Sequence, residues 1–278
     1  MKPVIVMQSD FGIDSGLVAC MHGMCKIVDR ELETHDITHL LPAFDIKAAS
    51  YCLQYTVPYW PSGTIFVSVV DPGVGTSRKA SVAKLKNGSY VVTPDNGTLT
   101  YLNNMIGIEA ICEIDESINR YNDTRDISVF HGRDLFSYCA AKLASGIITF
   151  KEVGPEYPVE DVVLHEVYQS EVTEGCAKAK VTGADPFGSI ELSVLNKDFS
   201  KTGLKHGDMT NITITCEGEV VFNEDVLYEK SFGFVGKGER IIFNDLASFV
   251  TIACNEENFA ETYNISKDKL YDVVVKKA

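Results

Sequence analysis

Apolar residues in the first 155 positions alternate between short continuous runs and segments with helical spacing. Gly63–Val70 is the strongest continuous run, and such a run is typical of a strand buried on both faces of a parallel sheet. Leu17–Val28 and Asp45–Tyr55 have apolar positions three and four residues apart, which predicts helices. This alternation predicts an α/β domain with a mostly parallel central sheet over residues 1–155.

Weaker candidates for both kinds of element fill the rest of this domain. The pattern predicts strands at 4–7, 32–37, 80–85, 90–93, 110–112 and 127–130, and helices at 98–105 and 135–145. The two strands on either side of Asn87 and Gly88 are predicted to pair as a hairpin, because this dipeptide favours a tight turn.

The pattern changes after residue 155. Residues 156–172 contain Pro158 and several acidic side chains, and we expect them to form a linker. Residues 173–278 consist of short alternating segments separated by turns, which predicts a smaller C-terminal domain, mostly antiparallel and β-barrel-like. Its predicted strands lie at 177–182, 189–194, 209–216, 219–222, 240–243 and 250–253.

Composition narrows the classes of partner. The net charge of −14 opposes binding to nucleic acid, whose phosphates are recognised largely by clustered Lys and Arg. Apolar runs in the sequence fall short of the roughly 20 residues that span a bilayer, so we expect a cytoplasmic protein with no membrane partner. The eight cysteines lack the spacing of zinc ligands and are expected to be reduced thiols.

Four polar residues follow predicted strands. Asp10 comes after the first strand, Asp71 and Arg78 after the strongest strand, and His131 after the predicted strand at 127–130. Ligand crevices of open parallel sheets occur where strands reach their carboxyl ends, so these residues are expected to converge on one pocket. Asp71 and Arg78 are also expected to form a charge-assisted pair.

Structural roles are open for the same residues. Asp10 and Asp71 also suit turns, and a single histidine is usually structural. The Gly73–Gly75 turn lacks the spacing of a dinucleotide fingerprint or a phosphate-binding loop. His35 and His39 flank a predicted strand end, where their spacing does not place them on one face, so no metal site is predicted.

Four short motifs together carry a family resemblance. Ser9–Gly12, Val70–Arg78, Pro94–Gly97 and Phe130–Asp134, in this order, resemble the S-adenosyl-L-methionine (SAM) hydrolases, which are also called SAM hydroxide adenosyltransferases and are relatives of fluorinase and chlorinase. The resemblance implies an N-terminal α/β domain, a C-terminal β-barrel, and a homotrimer with the ligand between one subunit's N-terminal domain and its neighbour's C-terminal domain. It also implies attack of a water-derived hydroxide on ribose C5′ of SAM, which gives adenosine and methionine.

The resemblance assigns roles to individual residues. Asp71, Arg78 and His131 match the family's catalytic set, and the reaction requires no metal or other cofactor besides SAM as substrate. In an enzyme of this kind the sulfonium is already a good leaving group, so the protein has to orient a water in line with the C–S bond. The residues implied in substrate binding are Asp10, Asp14, Ser15, Phe44, Asp95, Asn96, Asp185, Phe187, Ser189 and Asn244.

Two departures from the family pattern leave other functions open. Ser189 stands where the family usually has an Asn that contacts adenine, and Ala247 with Ser248 replaces a turn that commonly contains glycine. These departures motivate a non-catalytic protein that binds SAM or adenosine. The third alternative is a halide-using enzyme that makes 5′-halo-5′-deoxyadenosine, although such relatives generally lack the set of Asp71, Arg78 and His131.

Overall fold

The computed structural model describes residues 2–245, 249–266 and 268–278. By its internal contacts the chain divides into two compact units, residues 1–165 and 166–278. Within the described ranges, every helix is too short or too polar to cross a lipid bilayer. The predicted domain boundaries at residues 155 and 172 stay predictions.

The N-terminal unit is built on a six-stranded sheet in the order β2-β1-β3-β5-β4-β6. Its strands are β1 (Ile5–Ser9), β2 (Thr34–Thr38), β3 (Ile65–Val69), β4 (Ala80–Leu85), β5 (Tyr90–Pro94) and β6 (Ile108–Glu113). The neighbouring strands β2, β1, β3 and β5 are parallel to one another, and β4 is antiparallel to its two neighbours, β5 and β6. A mostly parallel central sheet is therefore confirmed, as is the hairpin of β4 and β5.

Helices flank this sheet and bury both of its faces. They are α1 (Leu17–Val28), α2 (Ile46–Thr56), α3 (Thr100–Met105), α4 (Glu116–Asn119) and α5 (Tyr138–Ala144), and α5 follows a π-helical turn at Gly132–Ser137. Alternate residues of β1 enter different cores: Ile5 and Met7 pack with side chains of α1 and α5, while Val6 packs with side chains of α2 and α3. The continuous apolar character of the central strands follows from this two-sided burial.

The predicted strand at 127–130 is wrong. The carbonyl of Ile127 accepts a hydrogen bond from the side chain of Arg120, and that of Phe130 accepts from the backbone N–H of Asp134. These two carbonyl groups thus accept hydrogen bonds from a side chain and from the first turn of a helix, instead of from a neighbouring strand. Val129 is 75% exposed, so the apolar residues of this segment do not form a core strand.

The C-terminal unit is a closed barrel of seven strands. In the structure β14 pairs with both β10 and β8, which joins the two ends of the sheet order β14-β10-β11-β12-β13-β9-β8. The strands of this unit are β7 (Glu171–Thr173), β8 (Cys176–Ala184), β9 (Ile190–Leu195), β10 (Met209–Cys216), β11 (Glu219–Tyr228), β12 (Arg240–Asn244), β13 (Phe249–Cys254) and β14 (Tyr271–Lys277), with β7 pairing on β8, and the short helices are α6 (Asn196–Phe199) and α7 (Phe259–Thr262).

Most neighbours in this barrel are antiparallel, as predicted, but β11 and β12 run parallel. The barrel is therefore mixed. All eight cysteines of the chain are free thiols, and five of them are buried.

Candidate active site

Three loops meet at one edge of the N-terminal sheet because β1, β3 and β5 are parallel neighbours. Asp10 follows β1, Asp71 lies two residues beyond the end of β3, and Asn96 lies two residues beyond the end of β5. The side-chain amide of Asn96 donates to the carbonyl of Val70 at 2.9 Å. This hydrogen bond connects the loop after β5 to the end of β3 immediately before Asp71.

Asp71 and Arg78 form the predicted ion pair across a tight turn. Nε of Arg78 lies 2.9 Å from Oδ1 and 3.1 Å from Oδ2 of Asp71, and Nη2 contacts Oδ2 at 2.5 Å. Only 6% of the Asp71 side chain and 11% of the Arg78 side chain are exposed. The forked contact fixes both carboxylate oxygens, as is typical of an arginine bound in the plane of a carboxylate.

Gly75 lets this turn pass close to the segment before His131. Its φ is +75°, and a Cβ at this position would lie 3.3 Å from the carbonyl oxygen of Ser128. A residue with a side chain would be strained in this conformation and crowded against the backbone. The turn and the segment therefore come together at a glycine.

His131 completes the cluster at the same guanidinium nitrogen of Arg78 that contacts Asp71. Nη2 of Arg78 lies 2.9 Å from Nδ1 of His131. A guanidinium only donates hydrogen bonds, so Nδ1 is the acceptor and the neutral imidazole carries its proton on Nε2. Arg120 Nη1 lies 3.5 Å from that Nε2, and because both groups are donors this contact brings a second positive charge close to the ring without forming a hydrogen bond.

The surroundings of His131 favour its neutral form. Burial, followed by the positive charge of Arg78, lowers the pKa of His131 from its usual 6.5, and Arg120 acts in the same direction. Glu116 opposes this shift by more than Arg120 adds to it, and Asp71 opposes it least. His131 is buried, with 5% of the residue exposed, and its lowered pKa favours the neutral imidazole at physiological pH.

The loop after β1 packs against the segment that carries His131. The ring of Phe11 contacts the ring of Phe130 edge to face, with 5.7 Å between centroids. Gly132 makes room for this packing, since a Cβ there would lie 2.9 Å from Cε2 of Phe11. This packing joins the loop that carries Asp10 to the segment that carries His131.

Asp10 and Phe44, two predicted ligand residues, are directly connected. Oδ2 of Asp10 accepts a hydrogen bond of 2.9 Å from the backbone N–H of Phe44. Phe44 has a φ of 66° and is 71% exposed, so it does not belong to the core. Asp14 and Ser15 are exposed, and Ser15 Oγ accepts from the backbone N–H of Leu17 at the start of α1.

Asp95 and Asn96 both hold backbone in place. The carboxylate of Asp95 accepts hydrogen bonds from the hydroxyl of Tyr157 at 2.9 Å and from the backbone N–H of Val163 at 3.0 Å. Burial raises the pKa of Asp95 above its usual value. The structure thus places Asp95 against residues 157–163, whereas Asn96 lies at the end of β3 next to Asp71.

The predicted ligand residues of the second unit occupy a tight turn after β8. Oδ1 of Asp185 accepts hydrogen bonds of 2.9 Å from the backbone N–H groups of Phe187 and Ser189. Phe187 projects from this turn and is 81% exposed, while Ser189 is buried. Asn244 is exposed at the end of β12. Ala247 and Ser248 lie outside the described residues.

Comparison with known families adds to this geometry. The family model of the SAM hydroxide adenosyltransferase N-terminal domain matches residues 5–154, and the model of the C-terminal domain matches residues 179–270. This chain belongs to the SAM hydroxide adenosyltransferase family. The resemblance carried by the four motifs is thereby confirmed.

Individual relatives cover nearly the whole chain. A curated (R)-S-adenosyl-L-methionine hydrolase of Methanocaldococcus jannaschii is 30% identical, over 94% of this chain and 92% of its own length. The corresponding protein of Salinispora tropica is 33% identical over 95% of each chain, and the fluorinase of Nocardia brasiliensis is 24% identical over 95% of this chain and 94% of its own. A solved structure of an uncharacterized conserved protein from Thermotoga maritima superposes with a TM-score of 0.87 at 29% identity, covering 97% of this chain and 99% of that one.

The sequence patterns do not predict a second charged pair beside His131. Arg120 and its ion-pair partner Glu116, joined at 2.7 Å, flank the imidazole of His131. The two residues are spaced as neighbours on one face of a helix, which is a visible pairing signal. Their approach to His131, however, depends on an irregular loop whose course the sequence does not indicate.

Proposed function

We propose that this chain hydrolyses S-adenosyl-L-methionine to adenosine and L-methionine, with Asp71, Arg78 and His131 as the catalytic set. The observation that carries the proposal is the buried ion pair of Asp71 and Arg78, with the neutral imidazole of His131 bonded to the same guanidinium. Such a cluster supplies one fixed carboxylate at a sheet edge that is suited to ligand binding. Family membership and the curated hydrolase relatives support the same reaction.

The geometry divides the work among the three residues. The Asp71 carboxylate accepts a hydrogen bond from a water and takes its proton as the water oxygen bonds to ribose C5′. The C5′–S bond breaks at the same time, and its electron pair returns to sulfur, so the sulfonium becomes the neutral thioether of methionine. Asp71 then releases the proton to solvent, and the sum is water plus SAM giving adenosine, methionine and a proton.

Arg78 and His131 keep the carboxylate in position in this proposal. Nδ1 of His131 already accepts from Arg78, so the imidazole is not free to take a proton from the water at that nitrogen. We therefore assign His131 the role of orienting Arg78, which in turn fixes Asp71. No metal or redox cofactor enters the proposed steps, because a sulfonium leaves without further activation.

The binding roles of the remaining residues belong to the same proposal. Asp10 is assigned to the ribose hydroxyls, Asp14 and Ser15 to the methionine end, and Phe44 to the face of the ribose and sulfonium, where an aromatic ring stabilises a cation. The exposure of Phe44 supports this assignment. The other proposed ligand residues are Asp95, Asn96, Asp185, Phe187, Ser189 and Asn244.

We also propose a homotrimer in the cytoplasm, with each ligand bound between one subunit's N-terminal domain and its neighbour's C-terminal domain. Exposed apolar side chains near Asp10, among them Ile13 (71% exposed) and Leu40 (66%), support a covered surface there. Phe187, at 81% exposure, supports a second one. The free thiols support a reducing compartment. Light scattering of purified protein measures the trimer, and a monomeric mass contradicts it.

Product analysis in labelled water tests the reaction. Purified protein is incubated with SAM in ¹⁸O water, and we expect equimolar adenosine and methionine with one ¹⁸O atom at the 5′ hydroxyl. Retention of SAM or adenosine without turnover would instead indicate a binding protein. A 5′-halo-5′-deoxyadenosine formed on addition of chloride or fluoride would indicate a halide-using enzyme, and either result overturns the proposal.

A further inference from the structure

A second polar cluster lies beside the loop that carries Asp10. It consists of His22 on α1, Asp36 on β2 and His39 just after β2, and we call it the His22 cluster. One ligand atom from each residue lies within 4.8 Å of the others. The proposed hydrolysis does not use these three side chains.

Both imidazoles of the His22 cluster direct the same nitrogen at one carboxylate oxygen. Nε2 of His22 lies 2.9 Å from Oδ1 of Asp36, and Nε2 of His39 lies 3.0 Å from the same atom. Two nitrogens and one oxygen therefore converge on a small volume. This donor set suits zinc and its neighbours in the transition series, whereas Mg²⁺ and Ca²⁺ prefer oxygen ligands.

Hydroxyl groups hold the other nitrogen of each ring. Nδ1 of His22 lies 2.9 Å from Oγ1 of Thr34, and Nδ1 of His39 lies 2.7 Å from Oγ of Ser9. Histidines that bind metals usually donate from their second nitrogen to an oxygen, which fixes the ring and its tautomer. Both rings of the His22 cluster thus have the outer hydrogen-bond partner that a metal ligand needs.

The cluster is anchored on one side and open on the other. His39 is 2% exposed at its side chain, while the side chains of His22 and Asp36 are 27% and 43% exposed. A cation can enter from the exposed side, and water can supply the remaining ligand or ligands. In a tetrahedral zinc site with bonds of 2.0–2.1 Å, neighbouring ligand atoms are about 3.3 Å apart, so each Nε2 needs to move only a few tenths of an ångström away from Oδ1 of Asp36.

We propose that His22, Asp36 and His39 bind one divalent transition-metal ion, with Zn²⁺ as the representative ion. The two Nε2 atoms and a carboxylate oxygen of Asp36 are the ligands. Each neutral imidazole then carries its proton on Nδ1 and donates it to Thr34 or Ser9, so the tautomers change but no proton has to be lost. This metal lies apart from the proposed chemistry at Asp71.

Ser9 connects the proposed metal site to the ligand loop. Its Oγ also accepts from the backbone N–H of Phe11 at 3.2 Å, and Asp10 lies between these two residues. A metal that fixes His39 therefore also fixes the start of the loop that carries Asp10. Because the ion binds the folded chain, it raises the midpoint of thermal unfolding as its concentration rises.

Titration of the full chain with Zn²⁺ tests the site. Protein is first treated with a chelator, which is then removed, and binding is measured by calorimetry for the wild type, His22→Gln and His35→Gln. Glutamine at 22 keeps an N–H donor for Asp36 but is a poor metal ligand. His35 is the matched control. It lies on β2 next to Asp36, but its side chain bonds to Glu33 at 2.7 Å and is not part of the His22 cluster.

We expect one Zn²⁺ per chain in the wild type and in His35→Gln, and an affinity at least about 10-fold weaker in His22→Gln. Equal binding by all three proteins, or no saturable binding by the wild type, overturns the proposal. Because thiols also bind zinc, NMR of the imidazole rings provides a second readout. Zn²⁺ has to shift the resonances of His22 and His39, and unchanged resonances would assign any bound ion to cysteines.

Discussion

The forked contact between Asp71 and Arg78 leaves the proposed base with a fixed orientation and little exposure. An Asn at position 71 retains one oxygen for Arg78 but has no carboxylate to take a proton from water. We expect Asp71→Asn to lower kcat by about 100-fold to 10,000-fold with a much smaller change in KM, because general-base catalysis contributes on this scale. Steady-state kinetics of adenosine release measures both constants.

The fold of this variant has to be intact for the result to count. Circular dichroism and the unfolding midpoint of Asp71→Asn are compared with those of the wild type. A folded variant that retains full kcat would show that another group accepts the proton.

Protonation of His131 is expected to make the activity depend on pH. Its pKa is lowered by burial and by Arg78, so the ring stays neutral as pH falls to 6.5 and is protonated only below this value. Protonation removes the Nδ1 acceptor from Arg78, and we therefore expect kcat/KM to fall on the acid side below pH 6.5. Because the unfolded chain takes up the proton first, folding stability also declines as pH falls below 6.5.

Arg120 contributes to this acid limb. Replacing it by methionine removes a positive charge 3.5 Å from Nε2 and leaves Glu116, which raises the pKa of His131. We expect the acid limb of Arg120→Met, and the NMR titration of its His131 ring, to move to higher pH. Arg125→Met is the control, since Arg125 is exposed and bonds to Asn122 and the carbonyl of Ser117. If His131 titrates identically in the wild type, Arg120→Met and Arg125→Met, Arg120 does not have this electrostatic role.

The residues of the cluster differ in how far their placement follows from sequence. Asp71 and Arg78 follow from a simple argument, since a buried strand ends in a carboxylate and a short turn returns an arginine to it. The proximity of His131 was also predicted, but through a strand at 127–130 that does not exist. Arg120 was not predicted, because its contact depends on the path of an irregular segment between residues 120 and 131.

The elements around the cluster meet through side-chain packing as well as through strand pairing. The π-helical turn at Gly132–Ser137 follows His131 directly, and the loop after β1 packs on its first residue. Strand order alone places the ends of β1 and β3 side by side. The π-helical turn does not follow a strand, so strand order does not explain its position. The contact of Phe11 with Gly132 brings the Asp10 loop and this turn together.

Gly132→Ala tests this association. The added Cβ would lie 2.9 Å from Cε2 and 3.1 Å from Cζ of Phe11, so the ring has to move. We expect a loss of about 1–3 kcal/mol in the free energy of unfolding, as for other overpacked sites, together with a raised KM as Asp10 shifts. Urea unfolding and substrate-dependent kinetics measure the two effects.

Gly23→Ala is the matched control, because a Cβ at this position of α1 meets no atom within 4 Å. Alanine inside a helix is favoured over glycine, so this variant should be as stable as the wild type or more stable. If both variants retain wild-type KM, the packing of Phe11 on Gly132 does not position Asp10.

Over the whole molecule, local sequence patterns predicted the individual strands and helices well, but they did not predict how the barrel closes. Most strands of both units were predicted within a few residues, because their apolar positions are local features. β14 was not predicted, although apolar residues recur at every second position, Tyr271, Val273 and Val275, and all three are buried in the structure. The parallel pairing of β11 with β12 was also missed, since pairing partners are set by contacts between distant residues.

Val273 lies on β14 where this strand closes the barrel. Val273 is 1% exposed and lies in register with Ile214 of β10 on one side and Ala179 of β8 on the other. An aspartate there would bury an uncompensated charge where the two ends of the sheet join. We expect Val273→Asp to lose about 3–5 kcal/mol in the free energy of unfolding, as for other unpaired buried charges.

The neighbouring residue supplies the control with the same substitution. Val274 points to the opposite face of β14 and is only half-buried, so Val274→Asp should cost far less. Urea unfolding followed by far-UV circular dichroism compares the two variants, and emission from Trp60, the single tryptophan, reports whether the N-terminal unit is folded. Equal midpoints for the two variants would mean that β14 does not close the barrel in solution, because only a closed barrel makes one face of this strand an interior.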